Sequence, residues 1–233
     1  MPREMPAFRQ FIALGDSMLS DDFPGQGRGA ASLLYRNPDP LYAEFAGKDL
    51  STACRGVQFL PLARTGLTTR DLLESSLSQL RPSRDPTLVV LSGGGNDLLE
   101  CLLGKVTPEE AIEGAERNLK RIVGELERRY LRLTLRIANV YDPTDGTGGV
   151  QSGHQRLAQA GRVLGVLNLR IADLAGDRLI DCFHHFRGHG ARHADPSYEH
   201  YCLDDPSGWI MFDIEPNPRG ASEIRRLVWR SLV

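Results

Sequence analysis

The sequence predicts an α/β fold in which helices cover both faces of a mostly parallel, five-stranded sheet. Two observations lead to this prediction. Short apolar runs that end at turn residues alternate with longer segments of helical period, and no internal repeat, low-complexity tract or linker divides the 233 residues. Strands that alternate with helices form parallel sheets, because each crossover helix returns the chain to the end of the sheet at which the previous strand began. We therefore expect one domain over residues 1–233.

Buried strands are indicated where aliphatic and β-branched residues run together and then stop at a turn. The clearest example, residues 87–91, ends at Ser92 and three glycines. The five predicted strands lie at residues 10–14 and 57–62, at 87–91, within 131–140 and within 178–182.

Helices are indicated between the strands by apolar residues at alternating steps of three and four. Thr107 and Glu110 form a capping box around Pro108, which starts a long helix. Asn217 is the predicted cap of the last helix. Two further helices are expected at residues 69–80 and 157–174. The glycine-rich residues 21–36 and the histidine-rich residues 183–208 are predicted to be irregular.

Composition excludes several classes of protein. The 28 basic and 30 acidic residues give a net charge of −2, so no charge excess points to nucleic acid or to an anionic membrane. The apolar runs are too short to span a membrane, and the charged N-terminus lacks the apolar run of a secretory signal. Four cysteines without a C-x-x-C pair are expected to be reduced thiols, which favours a cytoplasmic location.

Candidate catalytic residues follow the first and third predicted strands. Residues 15–18, Gly-Asp-Ser-Met, place the Ser17 hydroxyl at the edge of the sheet. Residues 93–97, Gly-Gly-Gly-Asn-Asp, include Asn96, whose amide can donate hydrogen bonds to a developing oxyanion. The alternatives are a turn or helix cap at Ser17 and a phosphate-binding loop at the glycines. The glycine spacing matches neither G-x-G-x-x-G nor a loop ending in Gly-Lys-Ser/Thr, which disfavours a phosphate site.

Two weaker features complete the set. Gly66 follows the second strand, so its N–H can lie beside the end of the first strand. Glu215 stands before a proline, which favours extended backbone, just ahead of the last helix. Taken alone, Gly66 indicates only the start of a helix, and Glu215 only a favourable charge at a helix N-terminus.

Together these segments resemble the SGNH, or GDSL-like, hydrolase family. They occur in the family's order along residues 15–220, from the Gly-Asp-Ser motif to Pro-Asn-x-x-Gly. The resemblance implies a three-layer αβα sandwich of the flavodoxin-like/SGNH-hydrolase type. It also implies that Ser17 is the nucleophile, and that Ser17 N–H, Gly66 N–H and the Asn96 side chain form an oxyanion hole.

The last motif departs from the family pattern, which has D-x-x-H before Pro-Asn. Glu215 stands at the histidine position and Phe212 at the aspartate position, with Asp213 one residue late. The usual general base is therefore missing from its expected place.

Three hypotheses account for this departure. Glu215 itself takes the serine proton, if burial raises its pKa from the ordinary value of about 4.3. Alternatively, a histidine from residues 183–208 is the base, oriented by Glu215 or Asp213. His189, which lies between two glycines, is the preferred candidate. In the third hypothesis hydrolysis has been lost, and the scaffold only binds.

The histidines also raise the question of a metal site. His185, His189 and His193 are four residues apart, a spacing that aligns on a helix, but Gly188 and Gly190 disfavour a helix there. No H-E-x-x-H is present. We therefore expect hydrogen-bonded loop histidines, with no metal and no cofactor.

The expected function is hydrolysis of an ester or related acyl substrate through an acyl-enzyme on Ser17. The expected partner is a small-molecule acyl ester. A catalytically impaired binding protein on the same scaffold and a flavodoxin-like nucleotide binder are the alternatives.

Overall fold

A five-stranded sheet forms the centre of the computed structural model, which describes residues 5–38, 42–148 and 157–233. Every pairing in this sheet is parallel, and the strand order is β2-β1-β3-β4-β5. The predicted parallel α/β fold is confirmed, because all five predicted strands form. They are β1 (Gln10–Leu14), β2 (Gln58–Pro61), β3 (Ser83–Leu91), β4 (Tyr130–Ala138) and β5 (Leu179–Ile180).

Helices pack on both faces of the sheet, as a three-layer sandwich requires. In chain order they are α1 (Ala30–Tyr35), α2 (Leu50–Ala53), α3 (Thr69–Asp71), α4 (Gly95–Leu102), α5 (Pro108–Arg129), α6 (Leu157–Ala175), α7 (Cys182–His185) and α8 (Pro218–Leu232). Two short antiparallel strands, β6 (Ile210–Met211) and β7 (Glu215–Pro216), form a separate hairpin. Within the described residues, no helix has both the length and the apolar character to cross a membrane.

Alternate side chains of β1 enter two different cores. Phe11 and Ala13 pack with apolar residues of α1 and α8. Ile12 and Leu14 pack with apolar residues of α5 and α6 on the opposite face. Since successive side chains of a strand point to opposite faces, a continuous apolar strand such as β1 must be covered on both sides.

Local signals fix the ends of the long helices. The predicted capping box is present, with Thr107 Oγ1 accepting from Glu110 N–H at 3.2 Å and Glu110 Oε2 accepting from Thr107 N–H at 2.8 Å. The Asn217 side chain accepts from the N–H groups of Arg219 and Gly220 at 2.9 and 3.0 Å, which caps α8 as expected.

Three predictions need correction. The helix expected at residues 69–80 is regular only over α3, continues as a π-helical turn at Leu72–Ser76, and ends as a 3-10 turn at Leu77–Gln79. Arg129 Nη1 donates hydrogen bonds to the carbonyl oxygens of Leu77 and Leu80. A side chain therefore satisfies these backbone groups in place of the hydrogen bonds of a regular α-helix.

The glycine-rich residues 21–36 are not wholly irregular, because they contain α1. Asp21 accepts hydrogen bonds from the N–H of Gly29 and from the Ser32 hydroxyl, at 2.7 and 2.9 Å. This side chain therefore fixes the start of a helix too short for its apolar period to be recognised. Similarly, α7 begins just before the histidine-rich residues 183–208 and extends into them.

Gly220 provides a test of how tightly α8 packs against the β6–β7 hairpin. A Cβ atom at Gly220 would lie 2.3 Å from the carbonyl oxygen of Trp209, the residue before β6. We expect Gly220→Ala to lower the free energy of unfolding by about 1–3 kcal/mol, because the backbone must move. Gly114→Ala on α5 is the matched control, since no atom of the described residues outside the neighbouring helix backbone lies within 4 Å of its added Cβ. Urea denaturation should find that change neutral or stabilising, and equal losses in the two variants would contradict the packing argument.

Candidate active site

A cleft lies at the carboxyl ends of the strands, and Ser17, Asn96 and Glu215 all line it. Ser17 follows β1 and Asn96 follows β3, two adjacent strands. The connection after β1 and the connection after β3 lead to opposite faces of the sheet. Open parallel sheets form their ligand sites at the place where two adjacent strands diverge in this way. The topology therefore brings together residues that are 79 and 119 positions apart in the sequence (96 − 17 and 215 − 96).

The turn that carries Ser17 is held by the strand next to it. Ser92 Oγ donates to Asp16 Oδ1 at 2.7 Å and accepts from Asp16 N–H at 3.1 Å. A Cβ at Gly15 would lie 2.1 Å from Ser92 Oγ, so only glycine allows this contact. Asp16 Oδ1 also accepts from Met18 N–H at 3.2 Å, which closes the turn around Ser17.

Asn96 lies in the first turn of α4, where it faces both the cleft and the loop after β2. Gly94, the residue before α4, has a φ of +109°, a backbone conformation that favours glycine. Asn96 Nδ2 donates one hydrogen bond to the Leu67 carbonyl oxygen at 2.9 Å. Next to it, Asp97 accepts from Thr69 N–H at 3.0 Å and from the Thr69 hydroxyl at 2.6 Å. These bonds fasten the Gly66 loop to the start of α4.

Gly66 lies beside this site but does not line the cleft. Its φ is +77°, in the turn immediately before Leu67. Arg64 N–H donates to the Gly15 carbonyl oxygen at 3.1 Å, which joins the same loop to the Ser17 turn. Within the part of the chain that is described, neither Ser17 N–H nor Gly66 N–H donates to a protein acceptor.

Glu215 reaches the cleft from the β6–β7 hairpin, in which it pairs with Met211. The turn of this hairpin is strained, because Phe212 and Asp213 have φ angles of 47° and 70°. Non-glycine residues in this region cost about 1–3 kcal/mol each. Tyr141 Oη donates to the Ile214 carbonyl oxygen at 2.7 Å and so fastens the turn beside the cleft.

The carboxyl group of Glu215 is buried and incompletely hydrogen-bonded. Burial raises its pKa, an interaction with the Ser17 side chain opposes the rise, and the negative charges of Asp16 and Asp22 add to it. Among the described residues, its Oε2 atom has no hydrogen-bond partner. Burial likewise raises the pKa of Asp16, although hydrogen bonds from Ser92 and from backbone N–H groups oppose the change. Of these two carboxyl groups, Glu215 is the one whose pKa the Ser17 side chain influences.

His189 lies outside the cleft that contains Ser17. Its ring stacks face to face on Trp209, with centroids 3.4 Å apart, and its Nδ1 is 2.9 Å from the Ser207 carbonyl oxygen. Burial lowers the pKa of His189. Because Trp209 N–H also donates to the His189 carbonyl oxygen at 2.8 Å, this histidine supports the base of the β6–β7 hairpin.

Asp213 and the other described loop histidines are also outside the cleft. Asp213 lines a separate depression together with His193. His184 contacts Asp181 at 2.6 Å, and His185 contacts Glu223 at 3.0 Å. The structure thus brings Ser17, Asn96 and Glu215 together, but it does not bring His189 or Asp213 to the serine.

Sequence reasoning missed two residues that position the site, Ser92 and Tyr141. Ser92 is the first residue after β3, which lies next to β1, the strand that leads to Ser17. Its position at the end of a predicted strand was therefore a signal that could have identified it. Tyr141 acts through a hydrogen bond to residue 214, a contact across 73 positions that no local pattern encodes.

Comparison with known proteins relates this sequence to one family. The sequence profile of the GDSL-like lipase/acylhydrolase family matches residues 13–222. No protein with curated functional data matches the sequence at a significant level.

Solved structures of similar fold include an extracellular lipase from Streptomyces rimosus. It shares 17% identity over 96% of this chain and 99% of its own, with a TM-score of 0.64. Phospholipase A1 from Streptomyces albidoflavus NA297 has 19% identity over 97% and 100% of the two chains, with a TM-score of 0.62. The acetyl xylan esterase AlAXEase has 13% identity over 96% and 100%, also with a TM-score of 0.62. At these identities the likeness concerns the fold.

The raised pKa of Glu215 predicts that its charge destabilises the folded state. A carboxyl group whose pKa rises on folding stabilises the fold most below its unfolded pKa, and that stability is lost as pH rises through the folded pKa. We therefore expect Glu215→Gln to raise the midpoint of thermal unfolding at pH 8, with a gain that shrinks towards pH 4. The control is Glu74→Gln at an exposed position, where the substitution should change the free energy of unfolding by no more than about 0.5 kcal/mol. A lower midpoint for Glu215→Gln at pH 8 would contradict the burial argument.

Proposed function

Because the chain belongs to the GDSL-like lipase/acylhydrolase family, we propose that it is a serine hydrolase that cleaves an ester or related acyl substrate. The observation that carries this proposal is that Ser17, Asn96 and Glu215 line one cleft. A nucleophile, a hydrogen-bond donor and a buried base are the three groups that acyl transfer requires.

In the proposed reaction, Ser17 Oγ attacks the acyl carbonyl carbon while its proton passes to the Glu215 carboxylate. The tetrahedral intermediate then collapses, the bond to the alcohol oxygen breaks, and the protonated Glu215 returns the proton to that oxygen. Water attacks the acyl-enzyme by the same route, with Glu215 again as the base, and releases the carboxylic acid.

The oxyanion hole in this proposal consists of Ser17 N–H, Gly66 N–H and the Asn96 side chain. The two N–H groups have no protein acceptor among the described residues. An amide side chain has two donor hydrogens, and Asn96 uses one of them on Leu67, which leaves the second for the substrate. A preorganised donor of this kind contributes about 10²–10³-fold to the rate.

Glu215 is the proposed general base because its carboxyl group lines the cleft together with Ser17, and because the Ser17 side chain is among the groups that influence its raised pKa. An ordinary glutamate is too weak a base for a hydroxyl at neutral pH, but a raised pKa increases its basicity. His189 is a weaker candidate, since its ring is held between Trp209 and the Ser207 carbonyl group away from the cleft.

The nucleophile is tested with a fluorophosphonate probe and with Ser17→Ala. We expect the probe to label Ser17 covalently, and the variant to lose hydrolysis of p-nitrophenyl acetate, because an acyl-enzyme cannot form without the hydroxyl. Ser78→Ala, which removes an exposed hydroxyl, serves as the control and should keep both the covalent labelling and the ester hydrolysis. Undiminished turnover by Ser17→Ala would refute the mechanism, and a wild-type protein that binds but never hydrolyses esters would favour the impaired binding protein.

The base is tested by comparing the pH dependence of Glu215→Gln and His189→Ala. The wild-type kcat/KM should fall as pH drops through the pKa of Glu215, which lies above the ordinary value, because only the carboxylate accepts the proton. Glu215→Gln should lower kcat/KM by about 10²–10⁴-fold and remove this acid limb. His189→Ala should keep the limb even if the loss of stacking lowers the rate. If the limb instead disappears in His189→Ala and survives in Glu215→Gln, the histidine is the base.

A further inference from the structure

Two adjacent carboxylates, Asp21 and Asp22, lie in the segment that follows the Ser17 turn. Asp21 accepts hydrogen bonds at the start of α1. Asp22 faces a different part of the chain, because its Oδ2 atom accepts from Thr65 N–H at 2.8 Å. Asp21 therefore fastens the segment to a helix, whereas Asp22 fastens it to the loop after β2, at the residue before Gly66.

Hydrogen bonds on both sides of Gly66 hold the loop that carries its N–H. On one side Thr65 N–H donates to Asp22, and on the other the Leu67 carbonyl oxygen accepts from Asn96 Nδ2 at 2.9 Å. Gly66 itself has a φ of +77° and lacks a side chain that could restrict its backbone. The direction of its N–H therefore depends on these two neighbouring contacts, and one of them is made by Asp22.

The same segment also contacts the hairpin that carries Glu215. The ring of Phe23, the residue after Asp22, packs against the ring of Phe212 in the hairpin turn, with centroids 6.0 Å apart. The negative charge of Asp22 is one of those that raise the pKa of Glu215. Asp22 thus lies between the loop of the proposed oxyanion hole and the hairpin of the proposed base.

We propose that Asp22 is a positioning residue of the active site, which holds the Gly66 N–H towards the oxyanion and places a negative charge beside Glu215 that makes it a stronger base. This inference rests on the proposed function. Asp22 is not among the described residues that line the cleft, so it acts through Gly66 and Glu215 rather than on the substrate.

The charges around Glu215 allow the effect of Asp22 to be measured. None of the described residues that line the cleft is a lysine, an arginine or a histidine. In α8, which follows the hairpin, Arg219 donates to Asp205 at 3.3 Å, and Asp213 in the hairpin turn lines a separate depression. The other titratable groups that line the cleft with Glu215 are Asp16, Tyr141 and Asp142. Among these residues no cation offsets a negative charge beside the base.

The positioning role is tested by comparing Asp22→Ala with Asp22→Asn. The asparagine oxygen can still accept from Thr65 N–H, whereas alanine removes the acceptor. Because an oxyanion donor acts in the transition state, we expect Asp22→Ala to lower kcat for p-nitrophenyl acetate by at least about tenfold, with little change in KM. Asp22→Asn should lose much less. Equal losses in the two variants, or a wild-type kcat in Asp22→Ala, would overturn the positioning role.

The charge is tested by the acid limb of kcat/KM in Asp22→Asn, at low ionic strength because Asp22 is exposed and salt screens its charge. Removal of a negative charge lowers the pKa of a nearby carboxyl group, so the limb should move to lower pH than in the wild type. A merely structural role of Asp22 would leave the limb in place. A limb that does not move, or that moves to higher pH, would overturn the effect on Glu215.

Asp85→Ala and Asp85→Asn are the matched controls. Asp85 is also exposed, but it lies near the start of β3, at the opposite end of the sheet from Ser17. Both controls should keep the wild-type kcat and the wild-type acid limb. Circular dichroism and thermal unfolding verify that the Asp22 variants fold.

These experiments separate the inference from the proposed function. Labelling of Ser17 and an acid limb that depends on Glu215 test the proposed function without any change at Asp22. If both are found while the Asp22 variants behave like the Asp85 controls, only this inference fails. If the wild-type protein shows neither, the proposed function fails and this inference fails with it.

Discussion

The parallel pairing of β1 with β3 is the interaction on which the site depends. Leu14 lies opposite Leu91 in this pairing, so the residues that follow, Gly15 and Ser92, come into contact. Ser92 then holds Asp16, and the turn around Ser17 is fixed from a neighbouring strand rather than from within its own loop. Since β1 has β2 on its other side, the strand order also opens the cleft at this point of the sheet.

A second constraint is the cost of holding a carboxylate beside the serine. Glu215 is buried, and one of its oxygens has no hydrogen-bond partner in the part of the chain that the structure describes. The hairpin that carries it has two non-glycine residues in the left-handed region. Tyr141 and the stacked pair of Trp209 and His189 offset this strain by fastening both ends of the hairpin. Proteins retain such locally unfavourable arrangements where activity requires them.

The framework could be predicted from the sequence because it depends on local signals, whereas the choice between Glu215 and a loop histidine as the general base could not. Apolar runs, the capping box at Thr107 and the cap at Asn217 gave the strands and long helices to within a few residues. The motifs at Ser17 and Asn96 could be recognised because each directly follows a strand. The β6–β7 hairpin has two residues per strand, which is too short for any period. The position of His189 is decided by stacking on Trp209, 20 residues later in the chain, and flanking glycines contain no information about that contact.

The most direct test of the account is a crystal structure of the wild-type protein after reaction with an alkyl fluorophosphonate. The account predicts a phosphorus–Ser17 bond, a phosphoryl oxygen that accepts hydrogen bonds from Asn96 Nδ2 and Gly66 N–H, and Glu215 as the titratable side chain nearest to Ser17 Oγ. A phosphoryl oxygen turned to solvent, or a histidine nearer to the serine than Glu215, would contradict it.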